Sequence, residues 1–242
     1  KGRRAPPRFV GVTQRPTQAE RMVDAARGLL GEPGPQATLD LAAKLAVSNV
    51  VGCDAAAISL VQRHADLRVA AYTEDLALTG DSLQHELGEG PCVSAAWEEP
   101  LVHAPDLAQD LRWPAWSSRV VHDLGARSML CLQLFTDADT LGALNLYSRR
   151  VGAFDQADRE ESIALAGHIA VALASSHRSD QLTQALDTRT LIGQATGRLM
   201  ERYGLDPSAA FNLLARLSSQ TNTKLRDLAV QLVDTGDLDG LP

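Results

Sequence analysis

The sequence predicts an α+β domain, in which helices flank an antiparallel sheet, followed by a long connector helix and a C-terminal three-helix bundle. Apolar runs rich in β-forming residues are confined to residues 54–147. After Asp155 these runs stop, and apolar residues recur at helical spacing instead. A chain of 242 residues has room for both parts, because domains average about 150 residues.

The composition excludes several classes of protein. Apolar residues make up 45% of the chain and charged residues 22%, with no apolar run near the roughly 20 residues that a membrane helix needs. The three cysteines are scattered and form no CxxC pair, which argues against a disulfide scaffold or a structural zinc site and fits a reducing compartment. No secretory leader opens the sequence. We therefore expect a cytoplasmic protein that does not contact membranes.

The two ends of the chain differ in charge from its body. The net charge is −7, yet the first 15 residues carry five basic side chains and no acidic one. Residues 1–16 are therefore expected to form a basic mobile arm, and residues 237–242 an acidic tail.

Helices are predicted before the sheet. Thr17 and Glu20 match a capping box, and the apolar residues that follow keep helical spacing until Gly31. A second helix is expected from about Thr38 to Gly52.

Five short runs have the character of β-strands, and the last two read as a hairpin across residues 137–139. Short helices are expected to lead up to Trp97 and to begin at Trp113. The five runs are residues 57–61, 68–73, 101–103, 128–135 and 141–147.

A single helix is predicted to connect the two parts. Its apolar stripe begins at Ile163 and continues to Met200, and no proline lies between Asp155 and Asp206. Residues 175–179 form a weak point at which the helix is expected to break, if anywhere. A stripe this long would meet water in a monomer, so we expect a homodimer through the connector helix.

The C-terminal bundle has clear helix boundaries. Gly204 ends the connector, and Asp206 with Pro207 begins a second helix whose apolar side is expected to include Phe211. Asn222 is expected to cap the third helix, which Gly236 ends.

Three segments of the first part resemble a GAF domain. They are residues 87–92 (LGEGPC), 112–114 (RWP), and 141–147 (LGALNLY) followed by Phe154 and Asp155. The resemblance covers residues 17–175 and implies a GAF-like antiparallel sheet flanked by helices that senses a small molecule or a redox signal. We expect no cofactor.

The second part resembles the ANTAR domain, a three-helix module that binds RNA hairpins and prevents transcription termination. The matching blocks are residues 191–200 (LIGQATGRLM), 206–214 (DPSAAFNLL) and 221–225 (TNTKL), with Ser218 between the last two. We assign residues 176–236 to this domain. Thr196 and Thr223 depart from the pattern, because a basic residue is common at both positions.

The resemblance predicts an RNA surface around Arg216 and Lys224, although by composition alone these charges would be a solvated helix face. With Phe211 placed in the core, no aromatic platform for stacking bases is expected. The predicted contacts are Arg198, Arg202, Arg216, Ser218, Thr221, Asn222 and Lys224.

Candidate sites for other chemistry are few. Cys92 follows the glycine-containing loop 88–91 and would be a redox or ligand-binding thiol if a helix start favoured its thiolate, but a buried structural cysteine is the favoured interpretation. That loop is interpreted as a plain turn rather than a phosphate cradle. The six histidines show no metal-ligand spacing, so no metal site is predicted, and no catalytic set is recognised.

The predicted function is a signal-responsive, RNA-binding regulator of transcription antitermination that is not an enzyme and recognises hairpins in nascent transcripts. Two alternatives remain open at this point. The bundle would read DNA if Lys224, Arg226 and Gln231 lined a recognition helix. The first domain would be a thiol enzyme, such as a methionine sulfoxide reductase, if its cysteines formed a reactive set.

Overall fold

A computed structural model describes residues 17–62, 66–136 and 140–236 of the chain. The expected basic arm at residues 1–16 and the acidic tail at residues 237–242 lie outside these ranges, as does the predicted hairpin turn at 137–139. The chain divides into two compact units, the first ending at Ser176 and the second beginning at His177.

Within the described residues, the first unit contains five strands and six helices, of which the last continues into the second unit. In chain order these elements are α1 (Gln18–Gly31), α2 (Pro35–Asn49), β1 (Ala55–Val61), β2 (Leu67–Tyr72), α3 (Asp75–Leu87), α4 (Pro91–Trp97), β3 (Leu101–Ala104), α5 (Pro114–Leu124), β4 (Ser128–Phe135), β5 (Thr140–Ser148) and α6 (Gln156–Tyr203).

The strands form one antiparallel sheet in the order β2-β1-β5-β4-β3, which confirms the predicted sheet and the β4–β5 pairing. Helix α3 was missed by the sequence prediction. Its buried side includes Gly80, Asp81 and Gln84, and these polar or small residues interrupt the apolar periodicity that would have revealed a helix.

Each face of the sheet carries its own core. Helices α1 and α2 and the first part of α6 pack on one face, with Ile58 and Leu144 among the buried residues. Helices α3, α4 and α5 cover the other face. On that second face β1 presents the small residues Ala55, Ala57 and Ser59, so polar side chains of α3 can approach the strands closely.

The loop between α3 and α4 links these two helices and also contacts α5. Gly88 ends α3 in the left-handed conformation (φ 66°), and Gly90 adopts φ 141° before α4. The Glu89 carboxylate accepts a hydrogen bond from the Trp116 backbone N–H in the first turn of α5, at 2.7 Å. The Glu89 side chain therefore ties the loop to α5.

Helix α6 begins with reciprocal caps and runs for 48 residues. The Asp158 N–H donates to Asp155 Oδ1 at 2.9 Å, and the Asp155 N–H donates to Asp158 Oδ2 at 3.2 Å. The helix is unbroken at residues 175–179, so the weak point does not interrupt it. Among the described residues, no helix is both long enough and apolar enough to span a membrane.

The second unit consists of the end of α6 with α7 (Pro207–Thr221) and α8 (Leu225–Thr235). The Asp206 carboxylate caps α7 by accepting from the Ala209 N–H at 2.8 Å, as predicted. The core of this unit is small and built from a few apolar side chains: Ala195, Leu199, Ala210, Leu214, Leu228, Ala229 and Leu232.

Two sequence predictions for the second unit were wrong. Asn222 does not cap α8; it ends α7 in the left-handed conformation (φ 52°), which asparagine tolerates better than most residues, and Lys224 occupies the N-cap position. Phe211 is 43% exposed rather than part of the core, because Ala210 and Leu214 define the buried side of α7.

The loop geometry predicts different costs for two neighbouring glycine substitutions. A Cβ on Gly90 would lie 2.3 Å from Gln84 Oε1, the atom that accepts the Cys92 N–H, and φ 141° is strained for any other residue. We expect Gly90→Ala to lower the free energy of unfolding of the first unit by about 3 kcal/mol.

Gly88→Ala is the matched control, because a Cβ there meets nothing within 4 Å and only the left-handed φ is disfavoured, at a cost of about 1 kcal/mol. All three tryptophans lie between residues 97 and 116, so urea unfolding followed by tryptophan fluorescence reports on this unit alone. Equal losses in both variants would contradict the account of the loop.

Candidate functional site

The junction between α7 and α8 brings together five of the predicted RNA contacts. Two of them are engaged by the backbone: Ser218 Oγ donates to the Thr223 carbonyl at 2.7 Å, and Thr221 Oγ1 donates to the Leu217 carbonyl at 2.9 Å. The Asn222 N–H donates to the Ser218 carbonyl. These bonds fix the turn that sets α8 against α7.

Arg216 and Lys224 are the two cations of this junction. Both are exposed, and neither side chain makes a hydrogen bond or an ion pair with any residue that the structure describes. Lys224 stands at the N-cap of α8, where no side chain caps the free N–H groups. A cation is unfavourable at the positive end of a helix dipole, and Asp227 is the acidic residue of the first turn of α8. An anion bound beside Lys224 would offset the charge of the lysine and the dipole further.

Arg198 and Arg202 lie at the opposite end of α8. Arg198 Nη1 donates to the Leu232 carbonyl at 3.1 Å, and Arg202 Nη1 donates to the Gly236 carbonyl at 2.9 Å. Both arginines thus satisfy carbonyls at the C-terminus of α8 and complement its negative dipole end. An 11-residue helix is about 16 Å long, so the structure divides the predicted surface into two separate groups.

Exposed aromatic residues change one expectation about RNA recognition. Tyr203 is 57% exposed and Phe211 43% exposed. The sequence argument against base stacking placed Phe211 in the core, and that argument no longer holds. Phe211 lines a shallow groove together with Arg189 and Ile192.

The first unit contains a buried polar cluster between α3, α4 and the sheet, which we call the Asp81 cluster. The Asp81 carboxylate is fully buried and accepts hydrogen bonds from four side chains. The donors are Tyr147 Oη (2.5 Å), Asn145 Nδ2 (2.5 Å), Ser59 Oγ (2.8 Å) and Gln84 Nε2 (3.1 Å). Burial raises the pKa of Asp81 to about 6, and the four hydrogen bonds oppose this rise.

Cys92 lies inside this cluster and is completely buried, as the sequence favoured. Asn145 Nδ2 donates to Cys92 Sγ at 3.0 Å, and His85 Nε2 lies 4.0 Å from the same sulfur. Burial raises the pKa of the Cys92 thiol well above its ordinary value, and the nearby Asp81 raises it further. The position of Cys92 near a helix start therefore does not produce a thiolate.

The other two cysteines are buried as well. Burial raises the pKa of Cys53 to about 12 and that of Cys131 well above its usual range. These environments favour the thiol form, whereas a nucleophilic cysteine needs a stabilised thiolate. The geometry therefore gives no support to a thiol enzyme.

Sequence reasoning missed Asp81, His85 and Asn145. Asp81 and His85 are four residues apart, so they share one side of α3, but the sequence prediction had no helix there. Asn145 was visible as an amide within the apolar run 141–147. A buried amide requires hydrogen-bond partners, and this signal was available from the sequence.

Comparisons with known families agree with the two units. The profile of the GAF domain family matches residues 32–174, and that of the ANTAR domain matches residues 180–233. The chain belongs to the GAF domain family and carries an ANTAR domain after its GAF domain. This pair of domains defines a signal-sensing, RNA-binding regulator.

Solved structures with the same fold cover the first unit. A free methionine-R-sulfoxide reductase from Neisseria meningitidis is 21% identical, with a TM-score of 0.54, and the match covers 67% of this chain and 91% of that one. The GAF domain of an Acinetobacter phosphoenolpyruvate-protein phosphotransferase is 14% identical, with a TM-score of 0.54, over 69% of this chain and 99% of that one. At these identities the likeness shows the fold alone. No curated protein sequence matches the chain.

The capping role of Arg198 predicts a local loss of stability when it is removed. Arg198→Ala would remove the charged donor of the Leu232 carbonyl near the end of α8, which costs about 1–2 kcal/mol. We expect amide hydrogen exchange within α8 to accelerate roughly 5- to 30-fold, measured by mass spectrometry. Arg189→Ala removes an exposed arginine of the same helix and should leave this exchange unchanged; equal acceleration in both variants would contradict the capping role.

Proposed function

We propose that this protein is a signal-responsive transcription antitermination regulator that binds hairpins in nascent RNA and favours an antiterminator over a terminator. The ANTAR match at residues 180–233 supports RNA as the partner. The GAF match at residues 32–174 supports a sensing role for the first unit, with a small-molecule or redox signal as its input.

The proposed RNA surface is supported mainly by the environments of Lys224 and Arg216. Both cations are exposed and without partners among the described residues, and both lie inside the ANTAR match. Lys224 stands at the α8 N-cap, where a cation opposes the helix dipole. A phosphate at this position would contact the lysine and the free N–H groups of α8 together.

The other predicted RNA contacts are supported by different observations. Ser218, Thr221 and Asn222 shape the turn beside Lys224, so they are proposed to position the RNA backbone. Arg198 and Arg202 are proposed as a second, separate contact for a longer hairpin, because their guanidinium groups remain partly solvent-exposed while they cap α8.

Removal of either junction cation should weaken binding to an RNA hairpin without unfolding the bundle. We expect Lys224→Ala and Arg216→Ala each to lower affinity several-fold and to reduce the salt slope of log K by about 1, as the loss of one phosphate contact requires. The measurement is hairpin binding by the full chain across a salt series, with melting temperature as the test of folding.

Lys44→Ala is the matched control, because it removes one exposed lysine from α2 in the first unit and changes the net charge by the same amount. Duplex DNA of the same sequence serves as the competing ligand. An unchanged hairpin affinity in the folded Lys224→Ala/Arg216→Ala double variant, or tighter binding to the duplex, would refute the proposed surface.

We also propose that the protein is a homodimer through α6. In the second unit, Leu182 and Leu186 are 62% and 65% exposed and lie on one side of the helix. In the first unit, Ile163 and Val171 are exposed on α6 and line an apolar groove of about 520 Å³ together with Phe135. Isolated helices rarely expose such residues to water, and a second copy of α6 would cover them.

Charges placed on this apolar side should separate the dimer. Leu182→Glu/Leu186→Glu is expected to give a monomer by light scattering at micromolar concentration, because burial of two unpaired carboxylates would cost more than the contact returns. Thr183→Glu/Gln184→Glu adds the same charge on a neighbouring side of the helix and should remain dimeric. A wild-type chain that scatters as a monomer would overturn the proposal.

A further inference from the structure

Three side chains with metal-binding atoms converge at the edge of the Asp81 cluster. One ligand atom from each of Asp81, His85 and Cys92 lies within 4.8 Å of the other two. Asp81 and His85 share one side of α3 at a spacing of four residues, and the Gly88–Gly90 turn brings Cys92 of α4 against them. The set is built by the fold rather than by a local sequence motif.

The geometry points to a metal site: we propose that Asp81, His85 and Cys92 bind one divalent zinc-class ion through a carboxylate oxygen, Nε2 and Sγ. The 4.0 Å between Cys92 Sγ and His85 Nε2 is close to what such a site needs. Zinc bonds of about 2.3 Å to sulfur and about 2.1 Å to nitrogen place these atoms roughly 3.6 Å apart at a tetrahedral angle.

The chemistry of the three ligands selects the ion. Thiolate and imidazole favour zinc and similar transition metals, whereas calcium and magnesium prefer oxygen ligands alone. Three protein ligands leave a fourth tetrahedral position for water or another small ligand, as in zinc sites that are not purely structural. The site therefore suits an ion whose binding serves as the sensed signal as well as a structural ion.

The hydrogen bonding of Asn145, next to these ligands, is a second observation. Its Nδ2 donates both to Asp81 Oδ2 and to Cys92 Sγ, so it holds two of the three ligands in position. Its Oδ1 is buried and has no hydrogen-bond partner among the described residues. An unsatisfied buried amide oxygen is costly, so the fold bears this cost in order to hold the two ligands with Nδ2.

The charges of the site also favour a cation. Asp81 is a buried carboxylate whose four hydrogen-bond donors are all neutral, so a bound cation would compensate its charge. On binding, Cys92 loses its thiol proton to solvent and coordinates as the thiolate.

The test uses the full chain, freed of metal by a chelator and titrated with Co²⁺. Cobalt bound to a thiolate gives a sulfur-to-metal charge-transfer absorption in the near ultraviolet, so the probe reports the sulfur ligand directly. We expect one equivalent of Co²⁺ to produce this band, Zn²⁺ to abolish it by displacement, and Cys92→Ser to remove it. His85→Gln should weaken Co²⁺ binding by about 10- to 100-fold.

Matched controls separate this site from other ligands in the chain. Cys53→Ser alters a buried cysteine on the opposite face of the sheet, and His168→Gln alters an exposed histidine on α6; both should retain the band and the affinity. Tryptophan fluorescence verifies folding, and His85→Gln tests the site even if Cys92→Ser fails to fold, because His85 is only partly buried.

Absence of the band in the wild-type chain at saturating Co²⁺ would overturn the proposal, as would a band that survives in folded Cys92→Ser. Equal loss of affinity in His85→Gln and His168→Gln would overturn it as well. The site stands independently of RNA binding, so none of these results bears on the RNA surface.

Discussion

The buried carboxylate of Asp81 is the constraint on which the first unit depends. Its four donors come from α3 itself, from β1 and from β5, so one anion ties a helix to two strands. Hydrogen bonds to a charged group are worth about 1.5–3 kcal/mol each, and an unsatisfied buried carboxylate would be far more costly than an apolar side chain. Gly80 permits this arrangement, because a Cβ there would lie 2.9 Å from Tyr147 Oη.

The same constraint explains why β1 presents small residues on the face of the sheet that α3, α4 and α5 cover. Large side chains at Ala55 or Ala57 would push α3 away and leave Asp81 without its donors. Because the cluster also contains Cys92 and lies beside His85, a ligand or an ion held there would act on α3, α4 and the central strands together.

The second unit depends on its helix ends more than on its small core. The two ends of α8 carry different cations. Arg198 and Arg202 of α6 donate hydrogen bonds to its C-terminal carbonyls, and Lys224 stands at its N-terminus. Cations at the negative end of a helix stabilise it, whereas a cation at the positive end does not. The proposed RNA contact would give Lys224 an anionic partner at this end.

The sequence was sufficient for features that depend on local rules. The Thr17 capping box, the Asp206–Pro207 helix start and the β4–β5 pairing were all predicted and are all present. It was insufficient where long-range packing decides. Helix α3 was missed because its buried side is polar, and Asn222 was misplaced because helix caps at both ends favour asparagine.

The predicted RNA surface shows the same limit. Five of its seven residues do lie at one junction, because they are close in sequence. The separation of Arg198 and Arg202 from them depends on how α8 packs against the end of α6, which no local pattern encodes.

The central claim is that this regulator acts on RNA hairpins, and the most direct test is ultraviolet crosslinking in cells followed by sequencing of the nucleic acid bound to the full chain. The account predicts enrichment of transcript segments that form hairpins upstream of terminators, and loss of that enrichment when residues 180–233 are deleted. Recovery of DNA, or of RNA with no enrichment over a control without crosslinking, would contradict it.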